Sequence, residues 1–298
     1  ETMIQRCALF SLTILVAFGL GAMEDARLMR WPDLAEEQVV FTYEDDLWLA
    51  PSEGGEARRI TSHPGSERYA KFSPDGTLLA FTASYDGGTD VYLMDARGGV
   101  PSRLTWHGGR DRVLGWTPDG SAVLFRSDRL MPFGAEEIYT VSKEGGMPVR
   151  VAVDRAGLAA ISADGTRLAY NRISREYRTW KRHQGGTAQD IWVGSIAAGD
   201  YRRITDFKGT DNFPMWHGDR VVFTSDRNRG TMNLFVVDGG GGEAEALTDF
   251  ADYDVKNPSM GPGAVVFQYG EGLSVLDMET GAVRAVPVNI RSDRLPVR

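Results

Sequence analysis

A chain of 298 residues with 42% hydrophobic and 25% charged side chains has the balance of a folded globular protein, long enough for one large all-β domain or two ordinary ones. Its net charge of −8 argues against nucleic acid as a partner, since displacing counterions from phosphates takes a basic surface. The lone cysteine, Cys7, precludes a disulfide framework.

Met3 to Met23 carries a basic start at Arg6, an apolar run from Ala8 to Leu20 and small residues at Gly21 and Ala22, the pattern of a secretory signal. Residues 1–28 are therefore expected to be signal and leader, and the mature chain to be exported, in the periplasm, meeting a membrane only through this segment. The run is short for a spanning helix, which needs roughly 20 apolar residues. Cys7 precedes the run, where a lipoprotein signal would not place it.

From there to the end the chain repeats, and a period of 40 to 50 residues marks solenoids and propellers. Six copies of one strand occur as QVVFTY from Gln38, LLAFTA from Leu78, AVLFRS from Ala122, RLAYNR from Arg167, RVVFTS from Arg220 and AVVFQY from Ala264. Each is followed by a partner: DLWLAP from Asp46, DVYLMD from Asp90, EIYTVS from Glu137, DIWVGS from Asp190, NLFVVD from Asn233 and GLSVLD from Gly272. An earlier strand leads into each pair through turns such as Ser73-Pro74-Asp75-Gly76 and Thr117-Pro118-Asp119-Gly120, where proline presets φ and glycine takes the positive φ that closes a hairpin. A fourth strand, rich in arginine and threonine, follows each pair. The middle strands are apolar on both faces, as in sheets stacked on either side, and the fourth is charged, as an exposed edge must be. The pattern predicts an all-β, six-bladed β-propeller of four-stranded antiparallel blades over residues 29–290, each blade built from its own segment and the ring closed without strand exchange. The tail VNIRSDRLPVR reads as linker, with residues 291–298 expected to begin a connection to a further domain.

The strings FSPDGTLLAF (Phe72 to Phe81) and FTSDRNRGTMNLFVVD (Phe223 to Asp238) resemble the repeat of TolB-type propellers and of propellers in several serine peptidases. The insertion NRISREYRTWKRHQGGTAQDIW (Asn171 to Trp192) and the opening from Trp31 to Thr61 are similar to segments of tricorn protease homologues. That resemblance implies an amino-terminal six-bladed propeller followed by a second propeller, a PDZ domain and a serine peptidase core, in a hexamer. None of that family's catalytic residues has a counterpart here, so the chain is expected to be a non-catalytic module that gates or guides peptides, a fragment of a longer product whose partners are peptides or its own downstream domains. The alternative is a free-standing, TolB-like periplasmic propeller that binds protein partners.

No catalytic residue, metal or cofactor is expected from the residues themselves. A G-x-S-x-G elbow is absent, and the blades leave no room for a hydrolase domain. His63 and His107 sit at matching points of the repeat, which points to a structural role. Trp48, Trp116, Trp192 and Trp216 are read as inter-blade core. The one dense basic stretch is the fourth-blade insertion, with Arg172, Arg175, Arg178, Lys181 and Arg182 interleaved with Tyr177 and Trp180. Guanidinium groups bind carboxylates bidentately and stack on aromatics, so these seven residues are the candidate peptide- or partner-binding surface. In the competing reading the rings tuck against a neighbouring blade while the charges pair with propeller aspartates or dock a further domain.

Overall fold

In the computed structural model, which describes residues 23–130, 136–173, 176 and 184–291, all six paired apolar strands form hairpins. Their registers coincide. Phe41 faces Trp48, Phe81 faces Tyr92, Phe125 faces Tyr139, Tyr170 faces Trp192 and Phe223 faces Phe235 at one equivalent level, and in the sixth blade Phe267 faces Ser274. Cross-strand aromatic pairs of this kind stabilise a sheet by roughly 0.2–1 kcal/mol each.

Each blade adds an inner and an outer strand to its hairpin. The inner strands are Arg30–Leu34, Glu67–Phe72, Asp111–Trp116, Ala159–Ile161, Asp211–His217 and Lys256–Gly261. The outer strands of the second to fifth blades shrink to two paired residues, Ser102–Arg103, Val149–Arg150, Arg202–Arg203 and Glu245–Ala246, shorter than the sequence pattern suggests. Short edges offer little template for pairing with another chain.

Because side chains alternate across a strand, one hairpin serves two seams. Leu79 and Phe81 of the second blade pack against Val40, Leu47 and Leu49 of the first, while Ala80, between them, packs with Val113, Val123 and Phe125 of the third. The same alternation yields six buried apolar clusters, one per seam, and the last joins Val266, Leu273 and Val275 of the sixth blade to Val39, Phe41 and Trp48 of the first.

The arginines and threonines of the fourth strands have structural work. Thr61, Thr105, Thr205 and Thr248 each accept, through Oγ1, the backbone N–H of Leu47, Val91, Ile191 or Leu234 on the adjacent strand, at 2.8–3.0 Å. Arg59, Arg103, Arg150 and Arg203 pair with the acid that opens that strand, Asp46, Asp90, Glu137 or Asp190.

All six blades take their four strands from one contiguous segment, as expected. Val288–Arg291, which reads as linker in the sequence, instead forms a strand. It lies parallel to Gly55–Arg59 on the outer edge of the first blade, and Met23–Asp25 pairs antiparallel on its far side. Val288 and Ile290 are buried in the first-to-sixth seam. The crossing passes over Gly54, whose φ is 97° and where a Cβ would stand 2.5 Å from the Pro287 carbonyl oxygen, so only glycine fits. Ile290, 2% exposed, is thus a test of the clasp. Ile290→Ala is expected to lower unfolding free energy by about 2–4 kcal/mol in urea titrations at unchanged slope, and a loss under about 0.5 kcal/mol would show the strand lies outside the cooperative unit.

Candidate functional site: the central channel

The inner strands surround an axial cavity of about 960 Å³. Their registers slip in the first, second, third, fifth and sixth blades, between Arg30 and Asp33, Arg68 and Lys71, Val113 and Gly115, Asn212 and Met215, and Lys256 and Ser259. These are β-bulges, which turn a side chain out of the ladder. At four of them a residue other than glycine takes positive φ: Trp31 (48°), Tyr69 (56°), Phe213 (55°) and Asn257 (47°). Such backbone is costly for residues with a Cβ and persists where the surroundings over-determine it. Proline follows three of the four, Pro32, Pro214 and Pro258, and its missing N–H suits a point where the ladder is broken.

The bulges deliver a collar of Trp31, Tyr69, Leu114, Phe213 and Asn257 to the cavity wall. The Trp31 and Tyr69 ring centres lie 5.0 Å apart, and the Arg68 guanidinium sits 5.2 Å from the centre of the Trp31 ring. Burial, with the Glu176 carboxylate nearby, pushes the Tyr69 phenol up from its ordinary value and keeps it a neutral hydrogen-bonding group.

Two charged nodes flank the collar. Asp33, on the first inner strand, accepts the Phe72 N–H at 2.8 Å and the Lys71 ammonium at 3.2 Å, and the Ser259 hydroxyl donates to the same carboxylate. Blades one, two and six are tied together at this point. Arg126, 1% exposed, pairs with Glu136 at 3.3 Å and with Glu176. Burial opposes its charge, but Glu176 and Glu136 outweigh that and hold the guanidinium protonated.

Arg126 marks a departure from the repeat. Its equivalents are Thr42, Thr82, Asn171, Thr224 and Gln268. Thr42 donates to the Glu67 carbonyl, Thr82 accepts the Val113 N–H and Asn171 donates to the Asp211 carbonyl, each reaching the inner strand of the next blade. The fourth blade has the shortest inner strand, and facing it from the third blade Arg126 stands in place of the linking group and draws in Glu176 from the insertion.

Of the residues singled out from the sequence, Arg172 pairs with Asp154 and lies 5.0 Å over the Trp192 ring, within the propeller. Arg175, Tyr177, Arg178, Trp180, Lys181 and Arg182 lie outside the described residues. The four tryptophans are not one repeated position. Trp48 and Trp192 belong to the hairpin pairs, whereas Trp116 and Trp216 end inner strands and donate their indole N–H to the Lys71 and Ala160 carbonyls of the preceding blade, both at 3.0 Å. His63 and His107 accept the N–H of Gly65 and Gly109, identical turn contacts. Among the described residues no three acidic, histidine or cysteine side chains gather as a metal site. Sequence reasoning missed the collar, although Trp31-Pro32, Phe213-Pro214 and Asn257-Pro258 recur at one level of the repeat.

The seam between blades one and two differs electrostatically from its siblings. In blades three and five the buried acid that opens the inner strand, Asp111 or Asp211, is paired by Arg129 or Arg227 at 2.7–2.8 Å. The second blade has Glu67, fully buried, with Tyr85 where the arginine would stand. Thr61 donates to Glu67 at 3.0 Å, and burial together with the Asp46 carboxylate raises its pKa from 4.5 to about 8, against the hydrogen bonds from Tyr85 and Thr61. A folded-state pKa above the unfolded one contributes stability that is full below about pH 4.5 and is lost as pH rises to about 8. Glu67→Gln is expected to flatten this fall, so that the stability difference between variant and parent grows by up to about 1.4 kcal/mol per pH unit across that window and is constant above it. Parallel stability curves for the two proteins would refute the assignment.

Comparison with known proteins agrees with this architecture. The family model for the tricorn protease N-terminal beta propeller domain matches residues 26–282. Tricorn protease homolog 1 of Streptomyces coelicolor is 31% identical over 260 residues, covering 85% of this chain and 24% of that protein. A crystal structure of the tricorn protease superimposes with a TM-score of 0.77 at 25% identity, over 87% of this chain and 26% of that one. TolB from Acinetobacter baumannii shares the fold, with a TM-score of 0.56 at 24% identity over 78% of this chain and 56% of that chain. The chain thus spans about a quarter of the length of the tricorn relatives it matches.

Proposed function

Because the chain belongs to the tricorn protease N-terminal β-propeller domain family, we propose that it is the non-catalytic propeller module of an exported tricorn-type serine peptidase, gating or guiding peptides through its channel. The observation that carries this reading is the bulge-mounted collar. A propeller that served only as scaffold would gain nothing from strained aromatic residues around an open axis, whereas rings projecting into a cavity of this size offer contact area to an extended chain. The remaining domains of such a peptidase are its natural partners. Export rests on the signal pattern of residues 3–23, and the periplasm is the compartment it implies.

The competing reading, a TolB-like propeller recruiting folded proteins by its rim, draws on fold likeness alone and leaves the collar without a role. The two separate by experiment. Unstructured fluorescent peptides should bind the chain, remain intact, and bind roughly 3- to 10-fold more weakly to Tyr69→Leu and Phe213→Leu, which keep apolar bulk but remove the rings. Equal binding by both variants, with cooperative unfolding retained, would overturn the channel reading. The insertion is tested in the same assay: with Arg175, Arg178 and Arg182 replaced by alanine, weaker binding at an unchanged melting temperature assigns recognition to the loop. A lowered melting temperature with intact binding assigns it a bracing role.

A further inference from the structure

The seams between blades carry a recurring set of four polar side chains. Between the second and third blades Asp90 is paired by Arg103 and Asp111 by Arg129, both at 2.7 Å. Between the fourth and fifth, Asp190 is paired by Arg203 at 3.3 Å and Asp211 by Arg227 at 2.8 Å. In each set two carboxylates from adjacent blades, close enough to act on one another, meet two guanidinium groups. The same four positions between the first and second blades are Asp46, Arg59, Glu67 and Tyr85, and Asp46 and Arg59 form the corresponding ion pair at 3.4 Å. Here two carboxyl groups meet one guanidinium and one phenol.

Glu67 is 0% and Asp46 3% exposed, so water does little to screen either carboxyl. Thr61 donates to Glu67 at 3.0 Å and accepts the Leu47 N–H at 2.8 Å. Tyr85 hydrogen-bonds Glu67, and its ring centre lies 4.7 Å from that of Tyr92 and 4.0 Å from that of His63. Burial and the Glu67 carboxyl push the Tyr85 phenol up, so it stays neutral and donates. His63, exposed, accepts the Gly65 N–H on Nδ1 at 2.9 Å, while Arg68 turns away to Asp45 at 3.2 Å and to the Trp31 ring. Burial raises Glu67 to about 8, and Asp46 adds to this as a charge and as a hydrogen-bond partner, so at neutral pH the two carboxyls keep one proton between them.

Glu67 is also a point where the two blades are fastened. Its N–H donates to the Asp45 carbonyl at 2.8 Å, and its carbonyl accepts the Thr42 hydroxyl at 3.0 Å. Two residues on, the Tyr69 ring meets Trp31 across the same seam. Ionising Glu67 puts two negative charges, out of reach of water, beside each other where the backbone of the second blade hangs on the first. Such charges repel strongly in a low-dielectric setting, and parting the strands readmits the water that relieves them.

We propose that the seam between the first and second blades is a proton-operated joint: one proton held between Asp46 and Glu67 stands in for the second arginine of the sibling seams, and its loss parts these two blades while the other seams stay closed. Glu67 holds its proton more tightly in the closed seam than in an opened one. Opening is therefore rarest at low pH, grows by up to about tenfold per pH unit above about 4.5, and levels off above about 8. Because Arg68 and Tyr69 follow Glu67 on the same inner strand, the joint makes the ring responsive to pH at one place, whatever the ring carries.

Amide hydrogen exchange followed residue by residue by NMR tests the joint, because the seams carry equivalent amides. The Glu67 N–H bonds the Asp45 carbonyl as the Asp111 N–H bonds that of Thr89 and the Asp211 N–H that of Gln189, all at 2.8 Å. With intrinsic exchange divided out, opening at Glu67 is expected to rise roughly 10- to 100-fold from about pH 6 to about pH 8 relative to opening at Asp111 and Asp211. Tyr85→Arg restores the sibling set, and Glu67→Gln removes the titrating group, so each is expected to make that ratio independent of pH. A circular dichroism melt establishes that each variant is folded. A constant ratio in the parent overturns the joint. So does a pH-dependent ratio that survives in either variant, and survival in Glu67→Gln assigns the titration to His63 instead.

Discussion

Each sheet of this protein is apolar on both faces, and that constraint governs the rest. A twisted four-stranded sheet with Leu79 and Phe81 on one side and Ala80 and Val91 on the other cannot expose either without losing its burial, so every blade needs two neighbours and the row must close. Closure is the one step without a continuous chain across the seam, and here it is over-determined. Apolar contacts fill the first-to-sixth seam, Asp33 binds Lys71 and Ser259 beside the axis, and Val288–Arg291 adds a strand at the periphery. The seam is thereby held at its inner edge by charge, in the middle by packing and at its outer edge by backbone hydrogen bonds.

Closing the ring leaves an axis that the inner strands must line, and the bulges decide what they line it with. An unbroken ladder would send alternate side chains into the two seams. Slipping the register by one residue at equivalent points frees a side chain at each, and in four blades that residue is Trp31, Tyr69, Phe213 or Asn257. Structure and site therefore arise from the same irregularity, since the defect in the sheet is also what furnishes the channel.

The repeat also explains why charge is placed as it is. Arginines of the outer strands and of the loops after the second strands neutralise acids buried where strands begin, and where one is replaced the local chemistry shifts. Tyr85 in place of arginine puts a phenol rather than a guanidinium beside Glu67 at the first-to-second seam. Arg126 in place of threonine draws a carboxylate from the insertion towards the channel wall. Both substitutions lie beside the axis or at a seam that leads to it, so deviations from the consensus are informative about function in a way that the consensus is not.

Blade number, hairpin boundaries and the polar edge were legible in the sequence, because they follow from periodicity: QVVFTY and its copies can be buried only as stacked hairpins, and Ser73-Pro74-Asp75-Gly76 can only be a turn. The structural role of His63 and His107 was legible for the same reason. The channel was not. Register within a sheet depends on how partner strands meet, so a bulge at Trp31 or Phe213 looks in the sequence like any strand residue, and its proline neighbour like a strand end. Val288–Arg291 was equally opaque, since its polar Asn289 and Arg291 mask two buried residues whose partners lie at the other end of the chain. Local pattern determined which segments are strands and which faces are apolar. Only the tertiary structure, by bringing six non-adjacent strands to one axis, decided that Trp31, Tyr69, Phe213 and Asn257 form a collar, because a level around a channel has no counterpart along the chain.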